Sequence, residues 1–378
     1  MILRLAKNSF ALATLALGTA MGAQPAIRDC KTTACAPNES LLTARLDSLR
    51  KTHGIPGLAV VVLHDTTVVF ASAFGFADIA NRTLVTTETP FNIASVSKPI
   101  SAVVALRLVQ DRLLDLDAPM QNFRGFAEFC TSAREGGGIF FRDYLCDGNA
   151  LTLRHVLSMS ANGVPGTRFW YNPPSYSWAS RPMLEKTGVA FSTLVDSLIF
   201  RVAHMQHSAR INRALPLRAD LAVTLALPYH FDSTTKAFVQ SEQPDPQGDG
   251  AAGGVITTAM DLARFDIALT NGRLINDALR KVMWTGTKTP SGDILPYGLG
   301  WFLGDYRGRR VAWHTGLWEG QYSALYLKVL GDKSSERFTF ILLANSDGLQ
   351  WSSQLNEATI ERSPFATMLM NTFGAGKK

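Results

Sequence analysis

Phe91-Asn92-Ile93-Ala94-Ser95-Val96-Ser97-Lys98-Pro99-Ile100 is the stretch on which the reading of this chain turns. Ser95 and Lys98 stand three residues apart at the head of an apolar helical pattern. That spacing puts a hydroxyl and an amine on one helix face, one turn apart. Serine alone attacks carbonyls poorly at neutral pH, and an amine placed to take its proton makes it a nucleophile. The start of a helix adds backbone N–H groups and a field that favours developing negative charge. A bare S-x-x-K pattern also arises by chance, so the rest of the sequence has to decide.

The helix that follows carries Ile100, Val103, Val104, Leu106, Leu108 and Val109. It is apolar on most sides, which predicts a buried central helix ending near Arg112. Upstream, Leu42, Leu46 and Leu49 mark a helix with Asn38 as N-cap, stopped by Gly54 and Pro56. Residues 57–63 and 68–76 read as buried strands joined at His64-Asp65. Residues 152–158 and 178–203 read as helices and 244–254 as a loop. Thr258 to Asp261 reads as the capped start of a helix reaching about Thr270. Residues 297–303, 309–315, 322–330 and 337–344 read as strands, and 351–373 as a last helix. Strands at both ends around a helix-rich middle predict an α/β (α+β) fold. An antiparallel sheet built from both termini is flanked by helices, with a mostly helical lobe inserted. We place the α/β lobe at about 38–94 and 290–378 and the helical lobe at about 95–289, in a single domain spanning 23–378.

The chain has 378 residues and a formal charge of +6. Its basic residues are scattered, so no block of the kind that grips nucleic acid is present. Residues 1–22 read as a secretory signal: Arg4 and Lys7, an apolar run from Phe10 to Leu17, then small residues at Ala20, Gly22 and Ala23. The run is too short to span a membrane comfortably, and no later segment is a credible transmembrane helix. The expectation is an exported protein, periplasmic or secreted. An even count of cysteines then suggests disulfides. Cys30 with Cys35 and Cys130 with Cys146 is the local choice among three connectivities, with free thiols as the alternative. Their spacing fits no common zinc pattern. His204 and His207 lack acidic or cysteine companions in the sequence, and no P-loop or dinucleotide fingerprint occurs. Neither a metal nor an organic cofactor is expected.

Further motifs follow in a fixed order. Ile55-Pro56-Gly57 precedes the first strands and Phe74-Gly75-Phe76-Ala77-Asp78 ends them. Leu114 to Asp117 closes the central helix. Leu151 to Ser158 leads to Pro165-Gly166-Thr167-Arg168-Phe169-Trp170-Tyr171. Gly253 to Phe265, Tyr297-Gly298-Leu299-Gly300-Trp301 and His314-Thr315-Gly316 come next. With the Ser95–Lys98 stretch, this series resembles the serine β-lactamase and penicillin-binding-protein superfamily over roughly residues 40–350. It is most similar to the branch of class C β-lactamases, DD-peptidases and related esterases. The resemblance implies that Ser95 is the acylated nucleophile, Lys98 its activator and Tyr171 a proton shuttle. It implies an oxyanion hole from the backbone N–H groups of Ser95 and Leu317. It also implies a substrate strip at His314, Thr315 and Gly316, with Trp318 as a flanking wall. Whether Lys98 or Tyr171 accepts the first proton stays open at this point.

Two positions depart from the family pattern. His314 stands where β-lactamases typically have lysine, and a histidine is mostly neutral at pH 7 unless a partner raises its pKa. Pro173 stands where an asparagine would hold the substrate's acylamide, and Asn172 replaces it only if the loop is shifted by one. Both changes weaken recognition of carboxylate-bearing and amide-bearing β-lactams and leave the acyl-transfer groups in place. The expectation is an exported serine hydrolase acting through an acyl-enzyme. Small esters rank first as substrates, D-amino-acid peptides second and β-lactams third. The rival expectation is a catalytically silent ligand-binding protein of the same fold. Oligomeric state is not legible.

Overall fold

The computed structural model describes residues 39–148, 150–351 and 359–373. The expected signal at 1–22, the Asn38 cap and the Cys30–Cys35 pair lie outside the described residues. The strands are β1 Gly57–His64, β2 Thr67–Asp78, β3 Thr83–Leu84, β4 Phe91–Asn92, β5 Ala209–Arg210 and β6 Tyr229–Asp232. Then come β7 Ala237–Gln240, β8 Val255–Thr257, β9 Phe302–Tyr306, β10 Arg309–Trp318, β11 Tyr322–Val329 and β12 Phe338–Ala344. The helices are α1 Glu39–Thr52, α2 Ser97–Gln110, α3 Phe126–Gly136, α4 Leu153–Leu157, α5 Pro173–Trp178 and α6 Ser180–Thr187. They continue as α7 Phe191–Val195, α8 Arg201–Ala203, α9 Ala219–Ala222, α10 Ala259–Thr270, α11 Asp277–Met283 and α12 Pro364–Thr372.

Seven strands form one antiparallel sheet in the order β3-β2-β1-β12-β11-β10-β9. β1 lies against β12, with Leu58 opposite Ala344 and His64 opposite Phe338, so the two ends of the chain close the sheet. β1 is a Val/Leu run buried along nearly its whole length, as a central strand covered on both faces must be. Two short sheets, β4-β8-β5 and β6-β7, lie apart from it.

α2 is the buried helix the sequence predicts; eleven of its residues are buried, Ser97, Lys98 and Ser101 among them. Those polar groups need partners, and the backbone of residues 251–255 supplies them in sequence. Ser101 Oγ donates to the Ala251 carbonyl at 2.6 Å, Lys98 Nζ to the Ala252 carbonyl at 2.9 Å, and the Val255 N–H donates to Ser97 Oγ at 3.2 Å. The stretch expected as a loop therefore runs as a rail along the helix.

Several expectations are corrected. Residues 178–203 are not one helix: Gly188, at φ +68°, ends α6, and the chain restarts as α7. The strand expected at 297–303 begins only at Phe302, because Gly298 and Gly300 give Tyr297 to Trp301 a turning path. Of the helix expected at 351–373, residues 352–358 lie outside the described residues, and the described part is helical at Pro364–Thr372, where Pro364 stands in the first turn. The expected pairing of Cys130 with Cys146 is present as a disulfide.

Candidate active site

Three segments converge on Ser95: its own 3-10 turn Ala94–Val96 leading into α2, the loop that ends at Tyr171, and β10. Ala94, immediately before Ser95, has φ +45°, a conformation that L-residues other than Gly, Asn and Asp rarely adopt. It is held there by Asn92, whose Oδ1 accepts from the Ala94 N–H at 3.0 Å and from Trp318 Nε1 at 3.1 Å. Ser97 Oγ donates to the Ala94 carbonyl at 2.6 Å. The turn leaves Ser95 half-buried while both its neighbours are buried.

Lys98 Nζ is 2.7 Å from Ser95 Oγ. Lys98 is fully buried, and desolvation lowers its pKa from 10.5 to about 7. No carboxylate pairs with it among the described residues, so nothing restores its charge. Its ammonium position lies 5.2 Å from the centre of the Tyr171 ring and 5.7 Å from that of Tyr176. Burial drives the Tyr171 phenol well above 10, and the nearby Ser95 side chain offsets part of the rise. The Tyr171 hydroxyl is shielded from solvent and has no hydrogen-bond partner of good geometry. Tyr176 packs instead as a core residue, donating to the Lys98 carbonyl at 3.0 Å.

His314 is fully buried on β10. Its Nδ1 donates to the Thr315 carbonyl at 2.7 Å. Nε2 is then an acceptor, and it takes the Tyr297 hydroxyl at 2.8 Å. Burial, and secondarily the nearby Lys98, push its pKa far below 6.5 against the opposing Thr315 carbonyl. His314 is therefore neutral at pH 7, and both its nitrogens are spent inside the protein. The Thr315 hydroxyl is buried and has no partner.

Gly316 is fixed by packing. A Cβ there would lie 2.1 Å from the Ile93 carbonyl, so the missing side chain admits the segment that carries Ser95. β9 pairs with β10 only as far as Trp313. The stretch from His314 through Leu317 to Trp318 is thus free of a neighbouring strand on that edge.

Asn172 does not take over the missing asparagine's part. It is the N-cap of α5, accepting from the Ser175 N–H at 2.9 Å. Its Nδ2 donates to the Phe140 carbonyl at 2.7 Å and to Asn162 Oδ1 at 3.1 Å. Pro173, at the first helical position, fixes this arrangement. The side chain is buried and pointed away from recognition.

Three residues enter that the motifs alone do not flag. Asn92 braces Ala94 and Trp318, Ala252 lends Lys98 its carbonyl, and Tyr297 locks His314. A polar residue between Phe91 and Ile93 was the available signal for the first. His207 does gain acidic neighbours in space: its ligand atom and those of Glu88 and Asp261 lie within 4.8 Å of one another. Arg264 bonds both carboxylates, which supplies the counter-charge there.

Comparison with known proteins agrees with this architecture. The family model described as Beta-lactamase matches residues 42–361. A penicillin-binding protein of Bacillus subtilis is 23% identical over 335 residues, covering 81% of this chain and 71% of its own length. A D-aminopeptidase of Brucella anthropi is 28% identical over 70% of this chain, and the match spans about half, 52%, of that enzyme. Esterase EstB of Burkholderia gladioli is 27% identical over 58% of this chain and 63% of its own. Among solved structures, the octameric penicillin-binding protein homologue from Pyrococcus abyssi superposes with a TM-score of 0.69 at 19% identity, covering 89% of this chain and 78% of its own.

Proposed function

This chain belongs to the beta-lactamase family, and we propose that it is an exported serine hydrolase that cleaves small neutral esters through an acyl-enzyme at Ser95. The observation that carries the reading is the 2.7 Å contact between Ser95 Oγ and a buried Lys98 whose pKa lies at about 7. A base is most useful when it titrates near the working pH.

Neutral Lys98 takes the Ser95 proton as Oγ adds to the substrate carbonyl. The oxyanion is met by the backbone N–H groups of Ser95 and Leu317. The Tyr171 phenol, kept protonated by burial, gives its proton to the leaving alcohol and regains one from Lys98. Water then adds to the acyl carbon, one of its protons passes through the same pair to Ser95 Oγ, and the acid leaves. The Tyr171 hydroxyl lies against the Ser95 side chain, where a leaving group on Oγ would receive its proton.

The preference for esters rests on charge. A substrate carboxylate would find neutral His314 where the family's β-lactamases offer lysine. The missing acylamide anchor at Pro173 acts in the same direction. D-amino-acid peptides rank second and β-lactams third.

A fluorophosphonate should label the mature chain once per molecule and fail to label Ser95→Ala. Turnover of p-nitrophenyl acetate should exceed that of a chromogenic cephalosporin. Faster cephalosporin turnover would overturn the substrate ranking and keep the mechanism. A folded sample that takes no label would replace the hydrolase reading with that of a silent ligand-binding protein.

A further inference from the structure

Asn92 lies on the short strand β4, opposite Ile256 of β8, and its side chain is buried. A single oxygen of that side chain serves two donors. Oδ1 accepts the Ala94 N–H at 3.0 Å and the Trp318 indole N–H at 3.1 Å. β4 belongs to the three-stranded sheet and Trp318 ends β10 of the seven-stranded one, so one acceptor ties the two sheets together. The residues around it leave little room for slack. The Ile93 N–H is held by the Val255 carbonyl at 3.1 Å, and the Ile93 carbonyl sits where a Cβ on Gly316 would fall.

The two donors belong to groups with different tasks. Ala94, at φ +45°, sets the turn that presents Ser95. A residue in that region relaxes unless its surroundings hold it. The Asn92 acceptor holds its N–H, and the Ser97 hydroxyl holds its carbonyl at 2.6 Å. Trp318 is half-buried on the stretch of β10 that lacks a neighbouring strand. Its indole is anchored at the N–H and presents an apolar body elsewhere.

We propose that Asn92 is a positioning residue that sets the Ser95 turn and the Trp318 wall as one unit. The inference rests on Ser95 being the acylated nucleophile and adds a route by which Trp318 affects the rate of acylation. Losing either the acceptor or the indole N–H loosens the turn at Ala94. Ser95 Oγ then spends less time aligned with Lys98 Nζ and the carbonyl it attacks, which is costly for a reaction that depends on near-attack geometry.

The test is the rate at which a fluorophosphonate labels the chain, beside kcat and KM for p-nitrophenyl acetate. The proteins are the wild type, Asn92→Leu, Asn92→Asp, Trp318→Phe and the double variant Asn92→Leu/Trp318→Phe. Asn92→Leu keeps a branched side chain without an acceptor, and should label about tenfold more slowly, with kcat falling in parallel and KM within about threefold. Asn92→Asp keeps an acceptor for both N–H groups and should stay within about threefold of the wild type. Trp318→Phe keeps an aromatic ring and loses the N–H; it should label about threefold more slowly, and it is a mild change that tests the link even where Asn92→Leu does not fold. The double variant should be no slower than Asn92→Leu, because the shared acceptor is already gone. The proposal is overturned by Trp318→Phe or folded Asn92→Leu labelling at the wild-type rate, by Asn92→Asp as slow as Asn92→Leu, or by a double variant slowed by the product of the single effects. A wild type that takes no label refutes Ser95 as the nucleophile, and this inference with it.

Discussion

Replacing Lys98 with methionine should abolish ester turnover and yet stabilise the folded chain at pH 6. The lysine is fully buried, and its pKa falls from 10.5 to about 7 through desolvation. At about 1.4 kcal/mol per pH unit, the protonated form costs the folded state about 5 kcal/mol. Methionine fills a similar volume without that cost. It also removes the bond to Ser95 Oγ and leaves the Ala252 carbonyl without its 2.9 Å donor, a loss of about 1–3 kcal/mol. The net expectation at pH 6 is a gain of about 2–4 kcal/mol.

The pH dependence makes the reasoning refutable. The unfolded lysine holds its proton up to about pH 10.5, and the folded one releases it near 7. Between those values the unfolded state binds more protons, so wild-type stability rises with pH relative to the variant. The wild type should regain about 4 kcal/mol from pH 7 to 10.5, and the variant should become the less stable protein at the alkaline end. Urea unfolding of both proteins at half-unit steps of pH measures this directly. A difference that stays flat across the window would mean that Lys98 keeps its proton in the folded state, and the proposed base would be wrong.

The same group should set a rising limb in kcat/KM for p-nitrophenyl acetate, with a midpoint near pH 7; a midpoint below 5 would point to a carboxylate instead. Asn172→Ala should lower stability by about 1–2 kcal/mol through loss of a helix cap and leave KM within about twofold, as measured by urea unfolding and steady-state kinetics. A large rise in KM would return Asn172 to substrate binding. Ala94→Gly should raise stability by about 1 kcal/mol by relieving the positive φ, read as a shift of the urea midpoint.

Much of this fold was legible because the signals were local and repeated. β1 is a continuous apolar run that only a central strand can bury, and α2 is apolar on most sides. The strands at 309–315, 322–330 and 337–344 were placed within a few residues. The segment 297–301 was not, because its hydrophobic content is that of a strand while Gly300 turns it against the first turn of α2. There a Cβ would lie 2.8 Å from the Lys98 carbonyl. Close approach of that kind is a tertiary fact with no periodicity of its own. The hairpin of β6 and β7 escaped for the opposite reason. Its residues are mostly exposed, so no burial pattern marks it.

At the site, the order of the motifs located Ser95, Lys98, Tyr171 and His314 and said nothing about their charges. Those follow from what surrounds each nitrogen. Lys98 has a serine hydroxyl and a carbonyl as partners and no carboxylate among the described residues, so desolvation decides and its pKa falls to about 7. His314 has a carbonyl on one nitrogen and a phenol on the other, so its tautomer is fixed and its charge suppressed. Each histidine partner lies within two β10 residues or on the Tyr297 turn, and neither could be assigned from the His-Thr-Gly triplet. The consequence is that, at pH 7 and above, neither nitrogen base beside Ser95 carries a settled positive charge. A substrate carboxylate entering here would lose its water and meet two neutral acceptors of protons, and burying an unpaired charge is among the most costly events in protein recognition. An uncharged ester carries no such group, and on the proposed reading this is how His314 and Pro173 favour esters without any change to the nucleophile.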